Sequence, residues 1–172
     1  MRPHIFVDES KVGGYTLVAA CVVPPELADA RKLMRGLLLP GQRRLHFSDE
    51  RDSRRRQILD TICASGITSR IYTCRSKAEL AARQACLVRL AADAQEMSAE
   101  LIVIERDDST MSHDRRTLFQ HLRGSTMRYE HKRPYEDSLL WIPDAIAWSW
   151  TKGGAWRKRI DSAVEAIETL HL

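Results

Sequence analysis

The sequence contains few cysteines and no metal-binding cysteine pattern. Its four cysteines, Cys21, Cys63, Cys74 and Cys86, form no CxxC pair and lie in apolar or helical segments. This distribution disfavours a disulfide framework and a zinc site, and it favours reduced thiols in a cytoplasmic protein. The sequence also lacks a basic start followed by a long apolar stretch, and it has no uncharged run approaching the roughly 20 residues of a membrane helix. We therefore expect neither export nor membrane insertion.

Length and charge narrow the remaining classes of protein. The chain has 172 residues, of which 44% are apolar, and this predicts a single domain spanning residues 1–172. It carries 27 Lys and Arg against 23 Asp and Glu, a formal net charge of +4. This mild basic excess permits a polyanionic partner such as nucleic acid but does not require one.

Strand and helix signals alternate along the chain. Aliphatic and β-branched runs predict strands at residues 4–8, 15–23, 43–47, 67–74, 100–108 and 127–131. Capping and periodicity signals predict helices at residues 26–37, 48–65, 76–97, 112–123 and 143–150, and a terminal helix from about residue 155. Such alternation predicts an α/β protein in which helices pack on the faces of a mixed central sheet.

Two of the predicted strands end in carboxylates although their other residues are apolar on both faces. The segment HIFVDES places Asp8 after a short apolar run, and ELIVIERDD places Glu105 and Asp107 after four consecutive aliphatic residues. If the two strands are parallel neighbours, their carboxyl ends coincide at one edge of the sheet. A third carboxylate, Asp144, lies in the first turn of the nearly all-apolar late helix and is expected to approach the same edge.

Converging carboxylates repel one another, and a bound cation or a shared proton makes such a group tolerable. Oxygen ligands without cysteine or histidine favour Mg²⁺ or Mn²⁺ over zinc. A pair of such ions about 4 Å apart activates water and stabilises the leaving oxygen of a phosphodiester. The expected metal ligands are Asp8, Glu105, Asp107 and Asp144.

Each of these acids also has a structural interpretation. Asp8 is compatible with a polar turn, and Asp144 with a first-turn acid that complements the helix dipole. Glu9 has the opposite strand parity to Asp8 and is expected to be structural. Glu105 and Asp107 share one parity, so either can act as the ligand, whereas Asp108 with Ser109 is expected to cap the next helix.

Histidines and arginines near these acids are candidates for contacts with the substrate. His46 precedes the acidic segment 48–50 and is a candidate proton donor, and His131 is a candidate substrate contact. Arginine greatly outnumbers lysine, and its planar fork suits phosphate recognition. The predicted substrate-binding residues are Arg43, Arg44, Arg51, Arg106 and His131. A solvated helix face or a core histidine is the alternative for each of them.

Taken together, four short segments resemble the DUF3800 family. They are VDES at 7–10, LHF at 45–47, IVIERDD at 102–108 and PDAIAW at 143–148. The resemblance implies a ribonuclease H-like, retroviral-integrase-like α/β fold whose acidic residues bind divalent metal and cut nucleic acid. Carried onto this sequence, it points to Asp8, to Glu105 or Asp107, and to Asp144. Ribonuclease H proper has a further glutamate on its first helix, and Glu50 is the nearest analogue by sequence order.

The leading hypothesis is a divalent-metal-dependent nuclease that hydrolyses phosphodiester bonds of RNA or DNA, with Asp8, Glu105, Asp144 and His46 as catalytic residues. The alternative is a catalytically silent module with the same fold that binds nucleic acid or protein. A metal-dependent nucleotide phosphatase is a weaker option. A Ser10-His131-Asp144 hydrolase ranks below these because no GxSxG elbow supports its nucleophile.

Overall fold

The computed structural model describes all 172 residues, which form six strands and six helices. The strands are β1 (His4–Ser10), β2 (Tyr15–Val22), β3 (Thr68–Cys74), β4 (Leu101–Glu105), β5 (Arg128–Lys132) and β6 (Val164–Leu170). The helices are α1 (Leu27–Arg35), α2 (Asp52–Ala64), α3 (Glu79–Glu96), α4 (Met111–His121), α5 (Trp141–Lys152) and α6 (Gly154–Arg159). No helix combines the length and the apolar character that crossing a membrane requires.

The strands form one mixed sheet in the order β5-β4-β1-β2-β3-β6. β1 and β2 form an antiparallel hairpin, and the turn between them uses Gly13 and Gly14 at positive φ, a backbone conformation that glycine adopts without strain. β1 also pairs with β4 in parallel, and β4 pairs with β5 in parallel. The central position of β1 and β4 explains their apolar character on both faces.

Helices cover both faces of the sheet, and each face has its own hydrophobic core. On one face, α1, α2 and α5 enclose a cluster of 25 buried residues that includes Phe6 and Val103. On the other face, α3 and α4 enclose a cluster of 19 buried residues that includes Val7 and Ile104. Alternate residues of β1 and β4 therefore point to opposite cores, which fixes the register of both strands.

The predicted strand at 43–47 is wrong. No strand pairs with this segment, which is an irregular loop that leads into a short 3₁₀ turn at Phe47–Asp49. Leu45 and Phe47 are buried whereas His46 is exposed, because the chain is extended where it crosses the α5 layer. This alternating burial explains the strand-like pattern without a strand. The helix predicted from Ser48 begins only at α2, where Arg51 is the N-cap.

The predicted terminal helix is also wrong in extent. α6 contains only six residues, and the following segment VEAIETL forms β6, which pairs in parallel with β3. Alanine and glutamate favour a helix, but pairing with β3 satisfies the backbone of this segment and overrides the local preference. The predictions for β1, β2, β3 and β5 are confirmed to within about two residues at each end.

Candidate acidic site

Asp8 and Glu105 lie side by side at the carboxyl edge of the sheet. The parallel register pairs Val7 with Ile104, so the next residue of each strand reaches this edge together with its neighbour. Both side chains point to the α5 face, as do Phe6 and Val103 two residues earlier. Asp8 is buried, with 7% of its surface exposed, and the Glu105 carboxyl group is close enough to raise its pKa.

α5 supplies the third carboxylate, Asp144, from its first turn. α5 packs across β1 and β2, which brings its N-terminal end to the edge where Asp8 lies. The Asp144 carboxylate is close enough to raise the pKa of Asp8, and Glu105 in turn raises that of Asp144. The structure thus brings together Asp8, Glu105 and Asp144, hereafter the acidic cluster.

The electrostatics of the acidic cluster are unfavourable when all three groups are charged. Burial, hydrogen bonding between the Asp8 and Glu105 side chains, and repulsion by Glu105 and Asp144 hold the pKa of Asp8 well above its usual range. Burial also raises the pKa of Asp144, although the Phe47 N–H donates a hydrogen bond of 2.9 Å to Oδ2 of Asp144 and opposes the rise. Two carboxyl groups can share a hydrogen bond only when one of them holds a proton. A proton or a cation therefore stabilises this arrangement.

The donor set of the acidic cluster suits a hard divalent cation, since all its ligand atoms are carboxylate oxygens. No three His, Cys, Asp or Glu side chains are, however, arranged in a ready-made metal site. Two of the oxygens already accept hydrogen bonds, from the Phe47 N–H to Asp144 and from the Glu9 N–H to Asp8 at 2.7 Å. The chemistry of the residues fits a divalent ion, whereas their arrangement is not that of a formed metal site.

The raised pKa values predict a dependence of stability on pH. An acid whose folded-state pKa lies above its unfolded value near 4 destabilises the folded protein progressively as the pH rises through that interval. In EDTA, we expect Asp8→Asn to gain stability relative to the wild type as the pH rises from about 4 towards 8. Thermal unfolding of both proteins across this range measures the difference. If the difference in stability between the two proteins does not change with pH, the raised pKa of Asp8 is contradicted.

The loop at 43–47 lies over the acidic cluster and carries two of the predicted residues. Nη2 of Arg44 is 3.8 Å from Oε1 of Glu105, and the Arg44 charge also lowers the pKa of Asp144. The His46 ring is half exposed, and it also contributes to lowering the pKa of Asp144. Nδ1 of His46 lies 2.8 Å from Oδ2 of Asp49, which fixes the ring orientation. The loop thus places a guanidinium and an imidazole beside the carboxylates.

Of the two acids that follow β4, Asp107 accepts hydrogen bonds within a turn, and Asp108 does not have the capping role predicted for it. Oδ1 of Asp107 accepts hydrogen bonds from the Ser109 N–H at 2.9 Å and from its hydroxyl at 2.6 Å, which lower the pKa of Asp107. Asp108 instead accepts a hydrogen bond from Arg106 at 2.7 Å and does not cap α4, whose N-cap is Thr110. Asp107 lines a cavity of about 110 Å³ together with Asp8 and Glu105, so it is near the acidic cluster but engaged in a turn.

The remaining predicted substrate contacts have different environments. The Arg43 guanidinium lies 4.7 Å above the Tyr135 ring, Arg51 is exposed just before α2, and Arg106 pairs with Asp108. His131 lies elsewhere, because its register partner Ile104 belongs to the core beneath α3 and α4. Its side chain is 3% exposed, and Nε2 lies 3.1 Å from Oδ2 of Asp114. The structure therefore separates His131 from the acidic cluster by the thickness of the sheet.

A buried ionic network behind Asp8 was missed at the level of sequence. The Arg83 guanidinium donates two hydrogen bonds of 2.7 Å to Asp114 and also contacts Glu9 and the Tyr15 hydroxyl. Glu9 follows Asp8 directly, so this network fixes the end of β1 from the opposite face of the sheet. The sequence does contain a signal for this network. Arg83 lies on the apolar face of α3, at helical spacing from Cys86 and other buried residues.

The sheet order and the helices on both faces define an α/β protein, and comparison with a solved structure shows that its fold is ribonuclease H-like. The structure of the PCNA:RNase HII complex from Archaeoglobus fulgidus contains a chain similar to this one, with a TM-score of 0.58 and 14% sequence identity. The match covers 87% of this chain and 73% of that chain. At this identity the likeness shows the fold alone. No protein-family model and no curated protein matches the sequence.

Proposed function

We propose that this protein is a divalent-metal-dependent nuclease that hydrolyses phosphodiester bonds of RNA or DNA. The observation that carries the proposal is the convergence of Asp8, Glu105 and Asp144, from two parallel strands and a helix, at one edge of the sheet. Buried carboxylates that repel one another are costly for folding, and such clusters are concentrated at functional sites. A ribonuclease H-like fold that carries the cluster at the ends of its central strands supports the same proposal.

Asp8, Glu105 and Asp144 would hold Mg²⁺ or Mn²⁺, with Asp107 as a further oxygen ligand at the border of the site. The bound metal would supply Lewis acidity, which lowers the pKa of a water and offsets charge on the leaving oxygen. Burial of Asp8 excludes competing solvent from one side of the cluster. These acids therefore serve to bind the cation, and none of them needs to form a covalent intermediate.

Residues of the overlying loop act on the substrate in this proposal. Arg44 presents a guanidinium beside Glu105 and attracts a phosphate to the acidic cluster. His46 is exposed and oriented by Asp49, so its ring is available to protonate the leaving oxygen. Arg43, Arg51 and Arg106 would contact more distant phosphates. Because Coulomb attraction drives such contacts, we propose that binding weakens steeply as salt is raised.

One observation favours the silent module as a second candidate. The structure contains no ready-made trio of metal ligands, and Asp144 is hydrogen-bonded to the backbone of Phe47. In this alternative, Asp144 anchors the loop, and Asp8 shares a proton with Glu105. The module would then bind nucleic acid or protein without cleaving it. The resemblance to the DUF3800 family stays a prediction under either candidate.

A cleavage assay with end-labelled substrates tests the proposal. Single-stranded RNA, single-stranded DNA, both duplexes and an RNA–DNA hybrid are incubated with the purified protein in Mn²⁺, Mg²⁺ or EDTA. We expect fragments from at least one substrate with Mn²⁺ or Mg²⁺, and none in EDTA. Binding without cleavage in every metal would exclude the nuclease and leave the silent module. Release of inorganic phosphate from mononucleotides alone would instead identify a phosphatase.

A further inference from the structure

A polar cavity of about 460 Å³ opens beside the end of β1. Its lining residues include four threonines and two arginines, and none is an aspartate or a glutamate. The residues that define it are Thr16, Thr73, Thr151, Thr169, Arg75 and Arg157. They come from β2, from the ends of β3 and β6, from the end of α5 and from α6, and are hereafter called the threonine-arginine cavity. Its volume is within the range of small-ligand sites.

The threonine-arginine cavity is adjacent to the acidic cluster. Ser10, two residues after Asp8, pairs with Thr16 across the β1–β2 hairpin and donates a hydrogen bond of 3.4 Å to Oγ1 of Thr151. Thr151 is seven residues beyond Asp144 on the same helix, about 10 Å along its axis and on the same helical face. One extended ligand can therefore reach both sites.

Both arginines of the threonine-arginine cavity lack a carboxylate partner. Arginines such as Arg31 and Arg70 pair with aspartate or glutamate, whereas neither Arg75 nor Arg157 lies within 4 Å of a carboxylate oxygen. Arg157 is fixed by hydrogen bonds of 2.9 Å and 2.7 Å to the Trp150 carbonyl, and its guanidinium stacks 4.0 Å above the Trp150 ring. These charges line a cavity without acids, which favours an anionic ligand.

We propose that the threonine-arginine cavity is a second subsite for the nucleic-acid strand, which binds a phosphodiester and its sugar next to the scissile bond. This inference rests on the proposed function. It specifies the substrate as a nucleic-acid strand that extends at least one nucleotide beyond the scissile bond. Arg75 and Arg157 contact the phosphate, and the four threonines form the polar wall against which the sugar packs. An acidic peptide has the same charge, but it supplies no reacting bond to the adjacent carboxylates.

Binding in EDTA tests this subsite without requiring cleavage. The probe is a fluorescein-labelled single-stranded DNA dodecamer, and its dissociation constant is measured by fluorescence anisotropy over a range of salt concentrations. We expect Arg75→Gln to weaken binding about tenfold and to reduce the slope of log K against log salt by about 0.7, as the loss of one phosphate contact predicts. Arg75→Glu should weaken binding further, because it places a negative charge in the cavity.

Arg128→Gln is the matched control, since Arg128 is an exposed arginine at the start of β5, on the opposite edge of the sheet. It should bind the dodecamer as the wild type does, and thermal unfolding should show all three variants folded. If the Arg75 variants bind like Arg128→Gln, or if an acidic peptide binds more tightly than the dodecamer, the subsite is excluded. The cleavage assay separates the two proposals: cleavage with unchanged binding removes the subsite alone, and weakened binding without cleavage leaves a nucleic-acid-binding cavity in a protein that is not a nuclease.

Discussion

Asp8→Asn and Asp144→Asn are each expected to lower metal-dependent cleavage by about a thousandfold or more. An amide is a neutral and weaker ligand than a carboxylate, so each substitution removes both charge and affinity for the cation. Because both carboxyl groups have raised pKa values, the same substitutions relieve repulsion in the folded protein. Each variant should therefore be at least as stable as the wild type near pH 8 in EDTA, while its activity is lost. Initial rates in Mn²⁺ and thermal unfolding provide the two measurements.

Asp161→Asn is the matched control for this prediction, because Asp161 is an exposed aspartate in the turn between α6 and β6. It should retain the cleavage rate of the wild type. Retained activity in folded Asp8→Asn or Asp144→Asn would remove that residue from the metal site. Loss of activity together with loss of folding would contradict the predicted gain in stability and point to a structural role for the carboxylate.

Arg83→Met is expected to destabilise the protein by about 3–5 kcal/mol, the typical cost of breaking a buried ion pair from one side. The Arg83 side chain is 4% exposed, and its removal leaves Asp114 and Glu9 without their guanidinium partner. Burial alone would raise the pKa of Asp114, and the hydrogen bonds from Arg83 and His131 now hold it below its usual range. Losing Arg83 should therefore drive Asp114 to take up a proton as the protein folds. Chemical denaturation at pH 7 measures the change in free energy of unfolding.

Arg115→Met provides the control for Arg83→Met, since Arg115 is exposed and follows Asp114 directly on α4. It should change stability by less than about 0.5 kcal/mol, as exposed substitutions commonly do. Arg83→Lys should fall between the two, because a lysine keeps the charge but not the forked hydrogen bonds to Asp114. If Arg83→Met and Arg115→Met are equally stable, the buried network around Arg83 does not contribute to the stability of the protein.

The sequence predicts the central part of the fold and the candidate site because both follow from local patterns. Four consecutive aliphatic residues in β4 can all be buried only in the interior of a sheet. This pattern predicts that Glu105 lies at the end of a central strand, next to Asp8. Strand parity likewise predicted that Glu9 points away from Asp8, and Glu9 indeed contacts Arg83 on the other face. The sequence also predicts that Asp144 lies in the first turn of the late apolar helix, and in the structure Asp144 lies in the first turn of α5.

Features that depend on distant packing were not predictable in the same way. The extended loop at 43–47 has the alternating burial of a strand, and only the positions of the six strands show that it has no partner. β6 mixes helix-favouring alanine, glutamate and leucine with β-branched residues, and it forms a strand by pairing with the edge of β3. The threonine-arginine cavity combines five separate elements, so no segment of the sequence contains its pattern.

The position of β6 in the sheet affects how the protein folds while it is being synthesised. β6 is the last strand in chain order, yet it pairs with β3, whose residues precede it by nearly 100 positions: Arg70 lies opposite Ala166. Throughout synthesis of the intervening helices, one side of β3 remains without a hydrogen-bonding neighbour and is open to pairing with another nascent polypeptide. Ribosomes that stall before codon 164 should therefore carry products that associate with one another.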